Sequence, residues 1–381
     1  MEYPHDASAA CSGGRSMLSR SRRMFAVLAF VLLASPLVIG FVAPDSPASV
    51  LREGRRLATT PRWPATGADW LALPEALDGY LKDHFGLRYA MIRAHKELSK
   101  AVLDTSSNTV LVGRDGRMFY LGEEAVQQSA GLVLRDERVA DTVEFLAAMN
   151  RKLAERGVRM LVATPPNGAT VYQDDLPDWA RNPGRPTEYD LLLKSLADAG
   201  VKAVDLRPVM RKTRGQGPTY FRHDSHWTPR GALAAFNAVV EAAGLPDWRL
   251  DPATALTPLR ERKGGDLARL LGVEDSATDD YEELVPADGA RTLLTSDPFG
   301  DYVETFGKPG PTLVIFGDSF TAGYFVPMAL QHAGRVAWIY HKHCGFDWSV
   351  IDRFRPDMVW WMPNERQLIC DPEARPVGFG S

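Results

Sequence analysis

The chain has 381 residues, 45% hydrophobic and 24% charged, an ordinary globular composition that excludes a wholly disordered chain. Its 44 basic and 48 acidic side chains leave a formal charge of −4. That balance excludes a general nucleic-acid binder, which needs a basic face to displace counterions.

In chain order, the first feature is Met24 to Ala43, a run of 20 residues without a charge. At about 1.5 Å per residue it matches a bilayer core of about 30 Å. Arg15, Arg20, Arg22 and Arg23 precede it, so the N-terminus is expected inside and the remainder outside. Ser21-Arg22-Arg23-Met24-Phe25 also resembles a twin-arginine export signal. No small-x-small cleavage site follows, so an uncleaved anchor is expected. Residues 1–23 then read as a basic cytoplasmic segment, 24–43 as a transmembrane anchor or signal, 44–70 as a linker and 71–381 as the folded body.

Leu73 to Ala101 predicts a helical stretch interrupted around Phe85-Gly86. Val110 to Tyr120 predicts a hairpin turning at Asp115-Gly116. Helices are expected over Asp136–Arg156 and Tyr189–Ala199, ended by Gly157 and Gly200. A further helix is expected from Thr228-Pro229 to about Ala243. Short apolar runs predict strands at Val158–Ala163, Val201–Leu206, Thr312–Phe316, Val336–Tyr340 and Met358–Met362. Leu245 to Pro311 is less regular and reads as an insertion that shapes a cleft. Strands alternating with helices predict an α/β fold, a mainly parallel sheet covered on both faces. Of the three cysteines, Cys344 and Cys370 can pair, and spacing alone leaves that open.

Two motifs carry chemistry. In Thr312-Leu-Val-Ile-Phe-Gly-Asp-Ser319 a buried strand runs into a turn, and a serine sits where ligands bind in open α/β sheets. The plain alternative is a serine that only caps a helix. In Asp224-Ser-His226-Trp227 a carboxylate and an imidazole lie two residues apart. A serine nucleophile needs a base, and the base needs a carboxylate to fix its tautomer and stabilise its charged form. The plain alternative is a turn with a structural histidine. A metal reading of His223, Asp224 and His226 lacks a third spaced cluster, and His341-Lys-His343-Cys344 reads as a polar loop after a strand.

Together these stretches resemble the AlgJ/AlgX-like alginate O-acetylation proteins of the SGNH hydrolase-like superfamily. Asp83-His-Phe-Gly-Leu-Arg88, Val112-Gly-Arg-Asp-Gly-Arg-Met-Phe119, Asp224-Ser-His226-Trp227, Gly317-Asp-Ser319-Phe320 and Pro363-Asn-Glu365-Arg366 are each similar to a family segment. The resemblance implies a three-layer SGNH-hydrolase-like fold behind an N-terminal membrane helix, with a catalytic triad of Ser319, His226 and Asp224. The Asp-x-His unit precedes the serine, the permuted order that the family shows. Asn167 stands where the family often has a lysine and is expected to help an oxyanion or substrate. Arg117 replaces a hairpin tryptophan.

The implied activity is transfer of acetyl groups to an alginate-like exopolysaccharide through an acetyl-serine, without metal or organic cofactor. Tyr324, Trp227 and Trp361 read either as aromatic faces for sugar rings or as ordinary core or rim packing, and Arg366 either as a contact to an acidic polymer or as a structural ion pair. The implied partner is a multispanning membrane acyltransferase that supplies the acetyl group, and the implied location is the periplasmic side of the inner membrane, or the periplasm where the N-terminal segment is cleaved. Little chain follows Arg366, so the single-domain, membrane-anchored branch is expected. The rivals are a secreted carbohydrate acetylesterase with the same triad and a non-catalytic polysaccharide-binding subunit of an export complex.

Overall fold

The computed structural model describes residues 60–83, 109–285, 292–294 and 302–379, with the single positions 30 and 35. Among these, no helix is long and apolar enough to cross a membrane. The expected basic segment and span, residues 1–43, lie outside the described residues apart from Phe30 and Ser35.

The chain divides into two units, residues 1–104 and 105–381. In the first, helix α1 (Gly67–Asp83) begins earlier than its apolar pattern predicts. Its start is set by a reciprocal cap: Thr66 N donates to Asp69 Oδ2 (2.8 Å) and Asp69 N to Thr66 Oγ1 (3.3 Å). The expected interruption at Phe85-Gly86 and the segment 84–88 lie outside the described residues.

The second unit opens with the expected hairpin. Strands β1 (Val110–Val112) and β2 (Met118–Tyr120) pair antiparallel, Val110 opposite Tyr120. Asp115 and Gly116 both take positive φ in the turn, as an Asp-Gly pair allows. Next come α2 (Asp136–Ala154), β3 (Arg159–Val162), α3 (Glu188–Asp198), α4 (Arg207–Arg214) and α5 (Pro229–Ala242). The insertion follows as β4 (Arg260–Lys263), α6 (Asp266–Leu271) and β5 (Thr278–Tyr281), and then β6 (Thr292–Leu294) and β7 (Tyr302–Phe306). The chain closes through β8 (Thr312–Gly317), α7 (Ser319–Ala322), α8 (Phe325–Ala329), β9 (Arg335–Tyr340), α9 (Ser349–Phe354) and β10 (Met358–Met362).

Six strands form one sheet in the order β3-β10-β8-β9-β7-β6. The first four are parallel, while β7 runs antiparallel to β9 and β6 to β7. The late insertion thus supplies the last two strands at one side of the sheet, β7 and the edge strand β6, which its sequence does not announce. Val201–Leu206 forms no strand; only Ala203 bridges Val162. The reason is local: Asp205 Oδ1 accepts from the Arg207 amide at 2.9 Å, which bends the chain into α4 before a ladder can extend.

Side-chain alternation on the central strands builds two cores. Leu313, Ile315, Met358 and Trp360 face Leu233, Phe236 and Val240 of α5. Val314, Phe316, Val359 and Trp361 face Val143 and Leu146 of α2, Leu192 of α3 and Ile351 of α9. Each such large apolar side chain contributes about 1.5–3 kcal/mol on burial. This is the helix–sheet–helix layering that the alternation of elements predicts. Cys344 and Cys370 are joined by a disulfide, with Cα atoms 5.3 Å apart.

Candidate active site

β8 ends at Gly317 and delivers Asp318 and Ser319 to the C-terminal edge of the parallel strands. Asp318 caps α7: its Oδ1 accepts from Phe320 N (2.9 Å) and its Oδ2 from Asn364 N beyond β10 (2.7 Å). The turn is therefore anchored to two neighbouring strands. Burial raises the Asp318 carboxyl above its ordinary range. Ser319, one residue on, is exposed.

The second arm comes from the loop before α5. Thr228 caps that helix, its Oγ1 accepting from Gly231 N at 3.2 Å, and buried Trp227 donates Nε1–H to Phe320 O at 2.9 Å. These contacts bring His226 over the serine, with its ring 5.0 Å from that of Phe320. His226 Nε2 lies 2.8 Å from Ser319 Oγ, and Nδ1 lies 2.8 Å from Asp224 Oδ1. With the proton on Nδ1, that nitrogen donates to Asp224 and Nε2 accepts from the serine hydroxyl. Asp224 also accepts from the His226 amide (3.1 Å) and, on Oδ2, from Arg262 Nη2 (2.7 Å).

The insertion adds a second carboxylate, with Asp266 Oδ2 3.4 Å from His226 Nδ1. Burial alone would lower the histidine, but hydrogen bonding and charge from Asp224 and Asp266 reverse this and push it up to about 9. Burial would likewise raise Asp224, yet the His226 hydrogen bond, the His226 charge and Arg262 hold it well below the usual carboxylate range. Asp224, His226 and Asp266 form a cluster with donor atoms within 4.8 Å of one another. Arg262 already occupies the outer oxygen of Asp224, and we assign no metal there. Neither Arg262 nor Asp266 stands out in the sequence; the only signal is Gly264-Gly265 just before Asp266.

The other expected residues are placed as follows. Tyr324 is half-buried and lines a groove of about 340 Å³ with Tyr281, Glu283, Leu284, Pro327 and Gln331. Burial raises its hydroxyl, and the charges of Arg262 and Asp224 also reach it. Asn167 is buried: its amide Nδ2 donates to Ala125 O (3.2 Å) and Ser129 Oγ (3.4 Å), and its backbone N–H to Glu365 Oε2 (2.6 Å). Its donors are thus engaged within the fold. Arg366 pairs with Glu123 at 3.0 Å and lies over the rings of Tyr120 and Phe320.

For Trp227 and Trp361 the structure selects core packing over sugar stacking. They are 0% and 2% exposed, packed in the two cores, and offer no face to a sugar. Trp361 lies on β10, which is covered on both faces, and the Trp227 ring packs against Phe320 and Phe325 beneath the loop, so an aromatic near the site is not thereby at the surface. His341 is fully buried and near Gln367, and burial lowers it to about 3. His223 faces Asp279 at 3.4 Å.

The structure thus brings together an exposed serine, a histidine and a buried acid at the end of an α/β sheet. The chain belongs to the family described as the SGNH hydrolase-like domain of the acetyltransferase AlgX, whose model matches residues 110–337. It is 25% identical over 224 residues to "Probable alginate O-acetylase AlgJ" of Pseudomonas putida, covering 56% of this chain and 55% of the relative. The protein of the same name in Pseudomonas aeruginosa is 24% identical over 226 residues, with the same two shares. The chain spans about half the length of the curated relatives it matches. Among solved structures, Bacillus cereus PatB1 aligns with a TM-score of 0.53 at 14% identity, over 69% of this chain and 97% of that one, and supports the fold. The O-acetyltransferase domain of Pseudomonas putida AlgJ aligns with a TM-score of 0.46 at 21% identity, over 69% of this chain and 94% of that one.

Proposed function

We infer that this chain is a polysaccharide O-acetyltransferase that works through an acetyl ester on Ser319. The observation that carries the reading is the 2.8 Å contact of Ser319 Oγ with His226 Nε2, backed by the 2.8 Å contact of Nδ1 with Asp224. Ser319 Oγ attacks the donor's acetyl carbon while His226 takes its proton, and Asp224 stabilises the imidazolium. The tetrahedral intermediate collapses, His226 returns the proton to the leaving group, and acetyl-Ser319 remains. A sugar hydroxyl then repeats the attack, giving its proton to His226, which returns it to Ser319 Oγ. As the first residue of α7, Ser319 has an N–H without an intrahelical acceptor, suited to a developing oxyanion. Both half-reactions transfer an acetyl group without change of oxidation state and call for no redox cofactor.

The acceptor is an exopolysaccharide of the alginate type, a reading supported by the printed names of the relatives. The groove beside Tyr324 and Tyr281 is where its chain lies. The 24–43 span anchors the protein with its body on the periplasmic side, and a multispanning membrane acyltransferase supplies the acetyl group. The Cys344–Cys370 disulfide favours an oxidising compartment.

Incubating the protein with an acetyl ester and an oligouronate tests this. Acetylated oligosaccharide that disappears with Ser319→Ala supports the reading. Acetate alone makes the protein an esterase, and turnover equal in the Ser319→Ala variant overturns the serine mechanism.

A further inference from the structure

The insertion places Asp266 against His226 by backbone design. Gly264 and Gly265 have φ of +83° and +140°, and a Cβ on Gly265 would stand 2.1 Å from His223 O. Glycine at this position lets the insertion close on the Asp-x-His loop. The approach is then sealed: Ala268 N donates to His223 O (3.0 Å) and Asp266 N to Asp224 Oδ2 (3.3 Å). Asp266 Oδ1 accepts from Ser225 N (2.6 Å), and Oδ2 accepts from Ser225 Oγ (2.5 Å). That Oδ2 also faces His226 Nδ1 at 3.4 Å, the nitrogen that Asp224 holds from the other side.

We propose that Asp266 is a positioning residue, a second anion on His226 Nδ1 that fixes the imidazole over Ser319 and strengthens it as a base. The proposal rests on the acyl-transfer reading above. The groups facing His226 define its sign. Asp224 and Ser225 lie on its own loop, and Asp266 lies on α6. Arg262 of β4 acts on it through Asp224, and Ser319 and buried Asp318 belong to the nucleophile turn. Arg262 opposes the imidazolium and is paired with Asp224, while Asp266 supports it. Removing the Asp266 charge therefore lowers the proton affinity of His226. A larger share of molecules then carries the neutral base near pH 7, but each base is weaker and less well held.

The test is the NMR titration of His226 beside the pH–rate profile of acetyl transfer, in wild type and in Asp266→Asn. The expected result is a midpoint about one pH unit lower, with the plateau kcat at high pH falling about tenfold and KM little changed. Asp266→Ser, which can still accept from Ser225 but carries no charge, is expected to shift the midpoint the same way should the Asn variant not fold. Asp266→Glu is expected to restore it. A midpoint unmoved in the neutral variants overturns the proposal, whatever happens to the rate. Because the titration does not need turnover, it stays informative even where Ser319→Ala disproves the acyl-serine mechanism, so the two failures are separable.

Discussion

Glu365 is 1% exposed, and one of its oxygens, Oε2, accepts from both Asn167 N and Thr170 Oγ1, each at 2.6 Å. Burial pushes its carboxyl up to about 7 from the ordinary 4.5. A carboxyl raised in the fold contributes its stability at pH below 4.5 and loses it as pH rises through about 7. The cost on the alkaline side is on the order of a few kcal/mol. Glu365→Gln keeps an oxygen for both donors and cannot ionise. It is expected to be more stable than wild type at pH 8 by on the order of 1 kcal/mol and no more stable at pH 5, as read by thermal melts. At this scale Ser319, His226 and Asp224 are legible in the sequence because each sits in a short motif whose neighbours set its place. Asp266 and Arg262 are not, since about forty residues separate them from the loop they serve and only the folded insertion joins them.

The Gly317-Asp318-Ser319 turn shows how an element enforces one residue's position. A Cβ on Gly317 would lie 2.0 Å from Thr321 Oγ1. That hydroxyl accepts from Trp338 Nε1 at 2.9 Å and donates to Asp318 O at 3.2 Å, so moving it breaks both contacts. Gly317→Ala is expected to cost about 1–3 kcal/mol and, by shifting α7, to reduce acetyl transfer more than tenfold while binding is retained. Denaturant melts and a kcat against KM comparison check this; an unchanged kcat counts against a rigid turn. The parallel strands β3, β8, β9 and β10 are readable because strands covered on both faces become continuous apolar runs. The run 201–206 has that signature too, and fails as a strand because Asp205 captures the Arg207 amide first. β6 and β7 belong to an irregular stretch, and their pairing comes from the edge of β9 rather than from their own pattern.

At the scale of the whole unit, the sheet with its two cores presents the ends of β8 and β10 as one platform, and the closing segment is tied back to it. The Cys344–Cys370 bridge spans 26 residues, from the loop after β9 to the segment after β10. In the chain-entropy account such a closure contributes about 3 kcal/mol. Cys370→Ser is expected to lose about that much in urea melts under non-reducing conditions while keeping its acetyl-transfer rate at 25 °C, because neither cysteine touches the serine site. Loss of activity without loss of stability would show that the segment after β10 shapes the site directly. The disulfide is a fact of the fold that sequence spacing left open, since pairing depends on where two distant loops finish and not on the residues between them.

The most direct measurement is the mass of the intact protein after brief exposure to an acetyl ester, followed by peptide mapping. A single acetyl group on Ser319, lost on adding the sugar acceptor and absent in His226→Ala, is the predicted result. No adduct on Ser319 under conditions where acetyl transfer proceeds would contradict the account.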